Sequence, residues 1–305
     1  RMNLEHPFVL GHYHLRTTDI SRLCKQLKFW VYASIKGGMI IGEKRVGKSY
    51  AIRYILKNLT KIIGRDCYGF SVRWKITKTF SEKTFWKRML RATGYDSRLP
   101  GDADALETRF YERIDLMTQE VGVPVCVVFI DEAQNISIDE FLYLCHVFNE
   151  LEEKGIRLYT WLVGQTELEH VKTMLAEMNQ KQVIARLMQH TFSMNGVDNA
   201  RSLKTLLSQL VKRGIVNDAA PEAVEKGFEL DSIATTIWSA KGEIDVDHGR
   251  PKKTPWTLQQ FQSVISVLLH TLERNPDLAQ TLGQQELKEI IELLQTDQVT
   301  VETGD

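Results

Sequence analysis

Hydrophobic residues in the first two thirds of the chain alternate between short continuous runs and helical spacing. Apolar runs at 39–41, 125–130 and 158–163 are each followed by a stretch in which apolar residues recur every three or four positions. A short continuous run is typical of a strand buried on both faces of a parallel sheet covered by helices. The strand–helix alternation therefore predicts right-handed crossovers and a three-layer α/β core with a parallel sheet.

The remaining segments divide the chain further. Alternation over 67–76 predicts another strand, with Val72, Trp74 and Ile76 on one face, and helical spacing predicts helices near 82–92, 104–120, 137–154 and 167–178. From about 196 onward the pattern is helical only, with a capping box at Thr257 and Gln260 and a polar loop at 245–255. We predict an N-terminal segment at 1–28, an α/β core at 29–195 and a smaller all-helical region at 196–305.

Composition and charge exclude only a few classes of protein. The 305 residues include 39 basic and 39 acidic side chains, so net charge does not indicate a nucleic-acid-binding protein and any such function needs local patches. The 4 cysteines lack C-x-x-C spacing, which favours reduced thiols in a cytosolic protein. No apolar run approaches the length of a membrane span and the start lacks a signal-peptide core, so we expect a cytoplasmic protein without membrane contact.

The most specific motif lies directly after the first apolar run. Residues 42–49 read G-x-x-x-x-G-K-S and precede a helical pattern, which is the context that a phosphate-binding loop requires. Lys48 would supply a charge for the β- and γ-phosphates, and the Ser49 hydroxyl would bind Mg²⁺. The alternative is a solvated, lysine-rich turn. The predicted nucleotide-binding residues are Gly42, Glu43, Lys44, Arg45, Val46, Gly47, Lys48, Ser49 and Tyr50.

Polar residues also follow the next two buried runs. Asp131 and Glu132 end one of them, at the sheet edge where open α/β sheets bind ligands. Asp131 would hold Mg²⁺ and Glu132 would act as general base toward water, unless the pair merely caps the next helix. Gln165 ends the other run and would reach toward the γ-phosphate, unless it serves as a helix cap.

Basic residues cluster around the strand at 67–76. Arg73, Lys75 and Lys78 follow one strand face and its exit loop, whereas Lys83 and Lys87 begin a stripe at i, i+4 spacing on the next helix. Such a stripe can contact backbone phosphates without reading sequence, and it can equally be an ordinary solvated helix face.

In order along the chain, GEKRVGKS, FIDEAQ, LVGQTEL and ARLMQHTFSM resemble the Walker A, Walker B, sensor 1 and arginine-finger segments of AAA+ ATPases. The Asp-Glu-Ala-Gln and Val-Gly-Gln sequences within these motifs are similar to those of the TnsC/TniB group of transposition regulators, which is related to ExeA-like ATPases. The resemblance covers about 29–195 and implies an AAA+ core followed by a helical lid.

The resemblance implies ATP and Mg²⁺ as ligands and ATP hydrolysis as the activity. It makes Arg186 the arginine finger of a neighbouring subunit's site, with Arg157 and Arg201 as alternative candidates. The tail contains no evident sensor 2 arginine. It implies a homo-oligomeric ring or filament on double-stranded DNA in a bacterial cytoplasm, with a transposase and a target-selector protein as partners. Alternatives are an ExeA-like motor or secretion ATPase, a non-hydrolysing nucleotide-gated scaffold and a replication initiator.

Overall fold

The computed structural model describes residues 15–76, 79–95, 100–252 and 254–299. Its strands are β1 (Gly37–Ile41), β2 (Tyr68–Arg73), β3 (Val125–Asp131), β4 (Arg157–Gly164) and β5 (His190–Ser193). Helices α1 to α8 are Thr18–Tyr32, Lys48–Lys57, Leu59–Ile63, Glu82–Ala92, Ala103–Val121, Ile138–Glu153, Glu167–Glu177 and Lys181–Leu187. Helices α9 to α15 are Ala200–Lys212, Ile215–Ala219, Pro221–Glu225, Ala234–Asp247, Leu258–Arg274, Leu278–Thr281 and Gln284–Val299.

Among the described residues, the five strands form one parallel sheet in the order β2-β3-β4-β1-β5. Every residue of β3 is buried, as expected for an apolar strand between two neighbours and two helical layers. The register aligns Asp131 with Val163 and Ile41 with Gly164. The carboxyl ends of β3, β4 and β1 therefore meet at one edge, where the polar residues that follow them converge.

The chain divides into two compact units, Arg22–Met194 and a second unit formed by Arg1–Ser21 with Asn195–Asp305. The first unit holds the sheet and an apolar core in which Trp86 contacts the rings of Phe85 and Phe110. Large aromatic groups bury much apolar area, so this cluster fixes α4 and α5 on the sheet.

The second unit is helical and has its own apolar core, as its leucine spacing predicts. Leu203, Leu206 and Leu207 of α9 are buried, and capping boxes start α9 at Asn199 and α13 at Thr257. Each box satisfies two backbone donors that the first helical turn leaves open. The structure therefore agrees with the predicted all-helical character of this part of the chain.

Two local predictions were wrong, and one strand was missed. The strand β2 ends at Arg73, and Ile76 is 77% exposed instead of lying buried with Val72 and Trp74. The ladder stops because the Trp74 amide makes its last bond to the Asp131 carbonyl, after which the chain leaves the sheet. The predicted polar loop at 245–255 begins later, because α12 continues to Asp247. The strand β5 was not predicted at all.

Within the described residues, no helix combines the length and the apolar character needed to cross a bilayer. All four cysteines are buried and free.

Candidate functional site

The loop between β1 and α2 has the backbone of an anion cradle. Gly47 has φ 100° and Arg45 has φ 65°, so the loop turns through left-handed conformations before α2 begins at Lys48. A Cβ atom on Gly42 would lie 2.5 Å from the Met194 carbonyl oxygen, which leaves room for glycine only. No side chain caps the first turn of α2, and an uncapped helix N-terminus presents N–H donors to an anion.

Lys48 lies over this loop and is only 8% exposed. Its ammonium group donates to the Gly42 carbonyl at 2.5 Å and to the Glu43 carbonyl at 2.7 Å. Burial lowers the pKa of Lys48, while the carboxylates of Glu132 and Asp131 act in the opposite direction. The lysine is thus held at the centre of the loop, where its charge faces whatever anion the loop binds.

Ser49 and Asp131 come together at the carboxyl edge of the sheet. The Ser49 hydroxyl donates to Asp131 Oδ2 at 2.7 Å, and Asp131 Oδ1 accepts the Glu132 amide at 3.1 Å. Octahedral Mg²⁺ with ligands near 2.05 Å places adjacent oxygens about 2.9 Å apart. The hydroxyl and carboxylate oxygens therefore fit neighbouring positions around Mg²⁺, which in phosphate sites takes one or two carboxylates together with substrate oxygens.

Glu132 adopts a strained backbone at the end of β3. Its φ of 58° and ψ of 40° lie in the left-handed region, which is uncommon outside glycine, asparagine and aspartate. Its carboxylate accepts a hydrogen bond from Gln134 Nε2 at 2.7 Å. The helix-cap alternative does not hold for Glu132, because Ser137 caps α6 and forms a capping box with Glu140.

Gln165 directly follows β4 on the same edge. The N-cap position of α7 belongs to Thr166 and has no side-chain cap bond, so the Gln165 side chain does not cap that helix. The backbone amide of Gln165 donates to Gln134 Oε1 at 3.2 Å. Sequence reasoning missed Gln134, although it stands within the Asp-Glu-Ala-Gln run that singled out its neighbours.

Several of the predicted residues line one cleft of about 390 Å³. This volume lies within the usual range for small-molecule sites. Gly42, Glu43 and Val46 belong to the same loop, but Val46 is buried beneath it. The cleft is lined by Lys44, Arg45, Gly47, Lys48, Ser49, Tyr50, Glu132 and Gln165.

Arg186 lies at the opposite edge of the sheet. Its carbonyl abuts Gly37, the first residue of β1, and its guanidinium lies 6.0 Å from the ring centre of Phe148 on α6. At about 3.3 Å per residue, β1 separates this edge from the loop by roughly 16 Å. The guanidinium therefore does not belong to the cleft of its own chain.

The basic residues around β2 are partly accessible. Arg73, Lys75 and Lys83 are exposed and Lys87 is half-buried, whereas Lys78 lies outside the described residues. Arg88 on the same helix has a structural role. It pairs with Glu140, donates to the Lys75 carbonyl and stacks 4.5 Å from the Trp74 ring centre.

The parallel sheet, the loop after β1 and the acidic residues at the same edge form the three-layer core of a P-loop AAA+ fold. Residues 36–171 match the family model described as AAA domain. The match runs from the residue before β1 into α7, so it includes the loop, both carboxylates and Gln165 and ends before Arg186. No curated protein sequence matches the chain.

Solved structures provide a second comparison. The Aeropyrum pernix ORC2 protein in its ADP form is 16% identical, with 85% of this chain and 66% of that chain covered, at a TM-score of 0.53. The Aeropyrum pernix ORC1 protein in complex with DNA is 14% identical, with coverage of 93% and 84% and a TM-score of 0.46. Domain III of the Thermotoga maritima replication initiation protein DnaA is 14% identical, with coverage of 97% and 98% and a TM-score of 0.47. At this identity, the likeness to ORC2 concerns the fold alone.

Proposed function

We propose that this protein is an oligomeric, DNA-binding ATPase that regulates DNA transposition by linking target-site selection to a transposase. Assembly on duplex DNA follows ATP binding, and hydrolysis reverses it. The observation that carries the ATPase part is the convergence of Lys48, the Ser49–Asp131 pair, Glu132 and Gln165 in one cleft. The transposition part rests on the TnsC/TniB resemblance of the motifs in the sequence.

Five side chains in or beside the cleft have a chemical role in converting ATP and water to ADP and phosphate. Lys48 exchanges its loop carbonyl partners for the β- and γ-phosphate oxygens, and the loop amides bind the same anion. Ser49 and Asp131 would hold Mg²⁺, which when bound would neutralise charge on the phosphates. Glu132 accepts a proton from the attacking water, and the side-chain amide of Gln165 orients that water against the γ-phosphate.

The position of Arg186 favours a site shared between copies of the chain. Because this arginine and the cleft lie at opposite edges of the sheet, one copy can offer its cleft while its neighbour offers the guanidinium. A positive charge at the γ-phosphate stabilises the charge that develops there during transfer. Nucleotide occupancy then controls how tightly successive copies bind one another, since the nucleotide contacts both.

DNA binding is assigned to the basic residues at the end of β2 and on α4. Lys83 and Lys87 are one helical turn apart and retain side-chain exposure, and Arg73 and Lys75 lie at the adjoining strand end, with Lys78 expected beside them. Contacts of this type bind backbone phosphates and carry little sequence preference. A few contacts per copy suffice because many copies engage one duplex, which reconciles DNA binding with a neutral chain.

The experiment that tests this function measures binding to labelled duplex DNA with ATP, with ADP and without nucleotide. We expect tight binding and long assemblies, visible by electron microscopy, only with ATP. Replacing Lys83 and Lys87 together by alanine should weaken DNA binding and flatten its dependence on salt, because fewer counterions are released.

The matched control is Lys57→Ala with Lys61→Ala, two exposed lysines at the same spacing on α2 and α3. This control should bind DNA as the wild type does. Equal DNA binding in all three nucleotide conditions would contradict nucleotide-controlled assembly. An unchanged salt dependence in the Lys83 and Lys87 variant would contradict the DNA-binding role of α4.

A further inference from the structure

Gln134 connects the two polar residues that the proposed mechanism uses on neighbouring strands. Its side-chain nitrogen donates to Glu132 Oε2 at 2.7 Å, and its side-chain oxygen accepts a hydrogen bond from the backbone amide of Gln165 at 3.2 Å. One primary amide thus joins the end of β3 to the end of β4. Neither a carboxylate nor a hydrocarbon of the same length can make both bonds, because one bond needs a donor and the other an acceptor.

The fold reserves space for this amide at Gly164. A Cβ atom on Gly164 would lie 2.7 Å from Gln134 Oε1 and 3.3 Å from Leu168 Cδ2. Gly164 is not among the residues with positive φ, so a larger residue there is opposed by the Gln134 side chain and not by the backbone conformation. The carbonyl of Gly164 also accepts the Gly42 amide at 3.2 Å, so the same residue contacts the phosphate loop.

Different contacts hold the strained backbone of Glu132 and its carboxylate. A left-handed glutamate costs free energy and persists only where its surroundings fix it. A short 3₁₀ turn at Ala133–Asn135 follows Glu132, and the Asn135 amide bonds to the Glu132 carbonyl at 3.0 Å. These bonds hold the backbone, but among the described contacts only Gln134 holds the carboxylate itself.

We propose that Gln134 is a positioning residue for ATP hydrolysis. It fixes the Glu132 carboxylate and the Gln165 backbone relative to each other, so that the group that accepts the proton and the group that orients the water face the same point. This proposal rests on the ATPase function proposed above. It assigns Gln134 no contact with ATP, so its effect falls on turnover and not on nucleotide affinity.

The test replaces Gln134 with methionine, which keeps the side-chain length and removes both hydrogen bonds. We expect kcat for ATP hydrolysis to fall about ten- to a hundredfold, the range found when a group that orients a reactive residue is lost. The Kd for ATP and the melting temperature should stay at wild-type values. The control is Gln182→Met at an exposed position of α8, which should leave all three quantities unchanged.

A second route to the same residue uses Gly164→Ala, which displaces the Gln134 amide through steric contact. It should lower kcat as Gln134→Met does. Combining Gly164→Ala with Gln134→Ala removes the clash, so the double variant should be no slower than Gln134→Ala alone. A fully additive loss in the double variant would overturn the proposal.

Two failures are distinguishable. A wild-type protein that does not hydrolyse ATP contradicts the proposed function itself. A wild type that hydrolyses ATP, together with a Gln134→Met variant of equal kcat, or with a loss confined to ATP affinity or stability, overturns only the role of Gln134.

Discussion

Replacement of Arg186 by alanine is expected to slow ATP hydrolysis by about a thousandfold or more, while ATP binding is retained. Arginines that complete a nucleotide site from a neighbouring chain contribute about this much to phosphoryl transfer. The arginine lies beside Gly37, at the edge of the sheet that does not hold the phosphate loop. Mixing Arg186→Ala with the pocket variant Lys48→Ala should restore activity, because one partner then supplies the cleft and the other supplies the arginine.

The rivals of Arg186 provide the controls. Arg157 begins β4 at the same amino edge and is exposed, and Arg201 lies on α9 of the second unit. Alanine at either position should leave hydrolysis near the wild-type rate. The shared-site account is contradicted if Arg186→Ala keeps full activity, or if the mixture stays as inactive as its components.

Replacement of Glu132 by glutamine is expected to lower kcat by about a hundred- to ten-thousandfold, the usual contribution of a general base. Glutamine keeps the size of the side chain and can still accept the bond from Gln134, but it cannot take a proton from water. ATP binding should therefore persist, and ATP-dependent assemblies on DNA should outlast those of the wild type. Measured turnover and the dissociation rate from DNA after removal of free ATP check both parts.

The control for this variant is Glu153→Gln, an exposed position at the end of α6. It removes one carboxylate from the same unit without touching the cleft. A Glu132→Gln protein that hydrolyses ATP at the wild-type rate would exclude Glu132 as the base. If its assemblies dissociate from DNA as fast as those of the wild type, ATP hydrolysis does not drive disassembly.

The core strands and the alternation of the fold were predictable because burial leaves a continuous apolar pattern. Every residue of β3 is apolar until the final aspartate, so this strand needed no tertiary information. The strand β5 escaped prediction because only Phe192 among its four residues is buried, which leaves no periodic signal. Strand order likewise depends on pairing between distant segments, and local pattern does not contain it.

The cleft residues of the loop were predictable because their spacing is typical of a phosphate-binding turn between a strand and a helix. Gln134 was not predictable in this way. Its contacts arise from a 3₁₀ turn that follows a left-handed glutamate and from the absence of a Cβ atom on Gly164, thirty positions further on. The exposure of Ile76 was not predictable from local pattern either. The alternation of apolar and polar residues continues past the point where hydrogen bonding to β3 stops.

The central claim is that the loop at 42–49 binds the triphosphate of ATP. Isothermal titration of ATP in saturating Mg²⁺ into the intact wild-type protein tests it most directly, with Lys48→Ala as the loss variant and Lys57→Ala at the far end of α2 as control. We predict one ATP bound per chain in the wild type and in Lys57→Ala, and no measurable binding in Lys48→Ala. Absence of binding in the wild type, or equal binding in Lys48→Ala, would contradict the account.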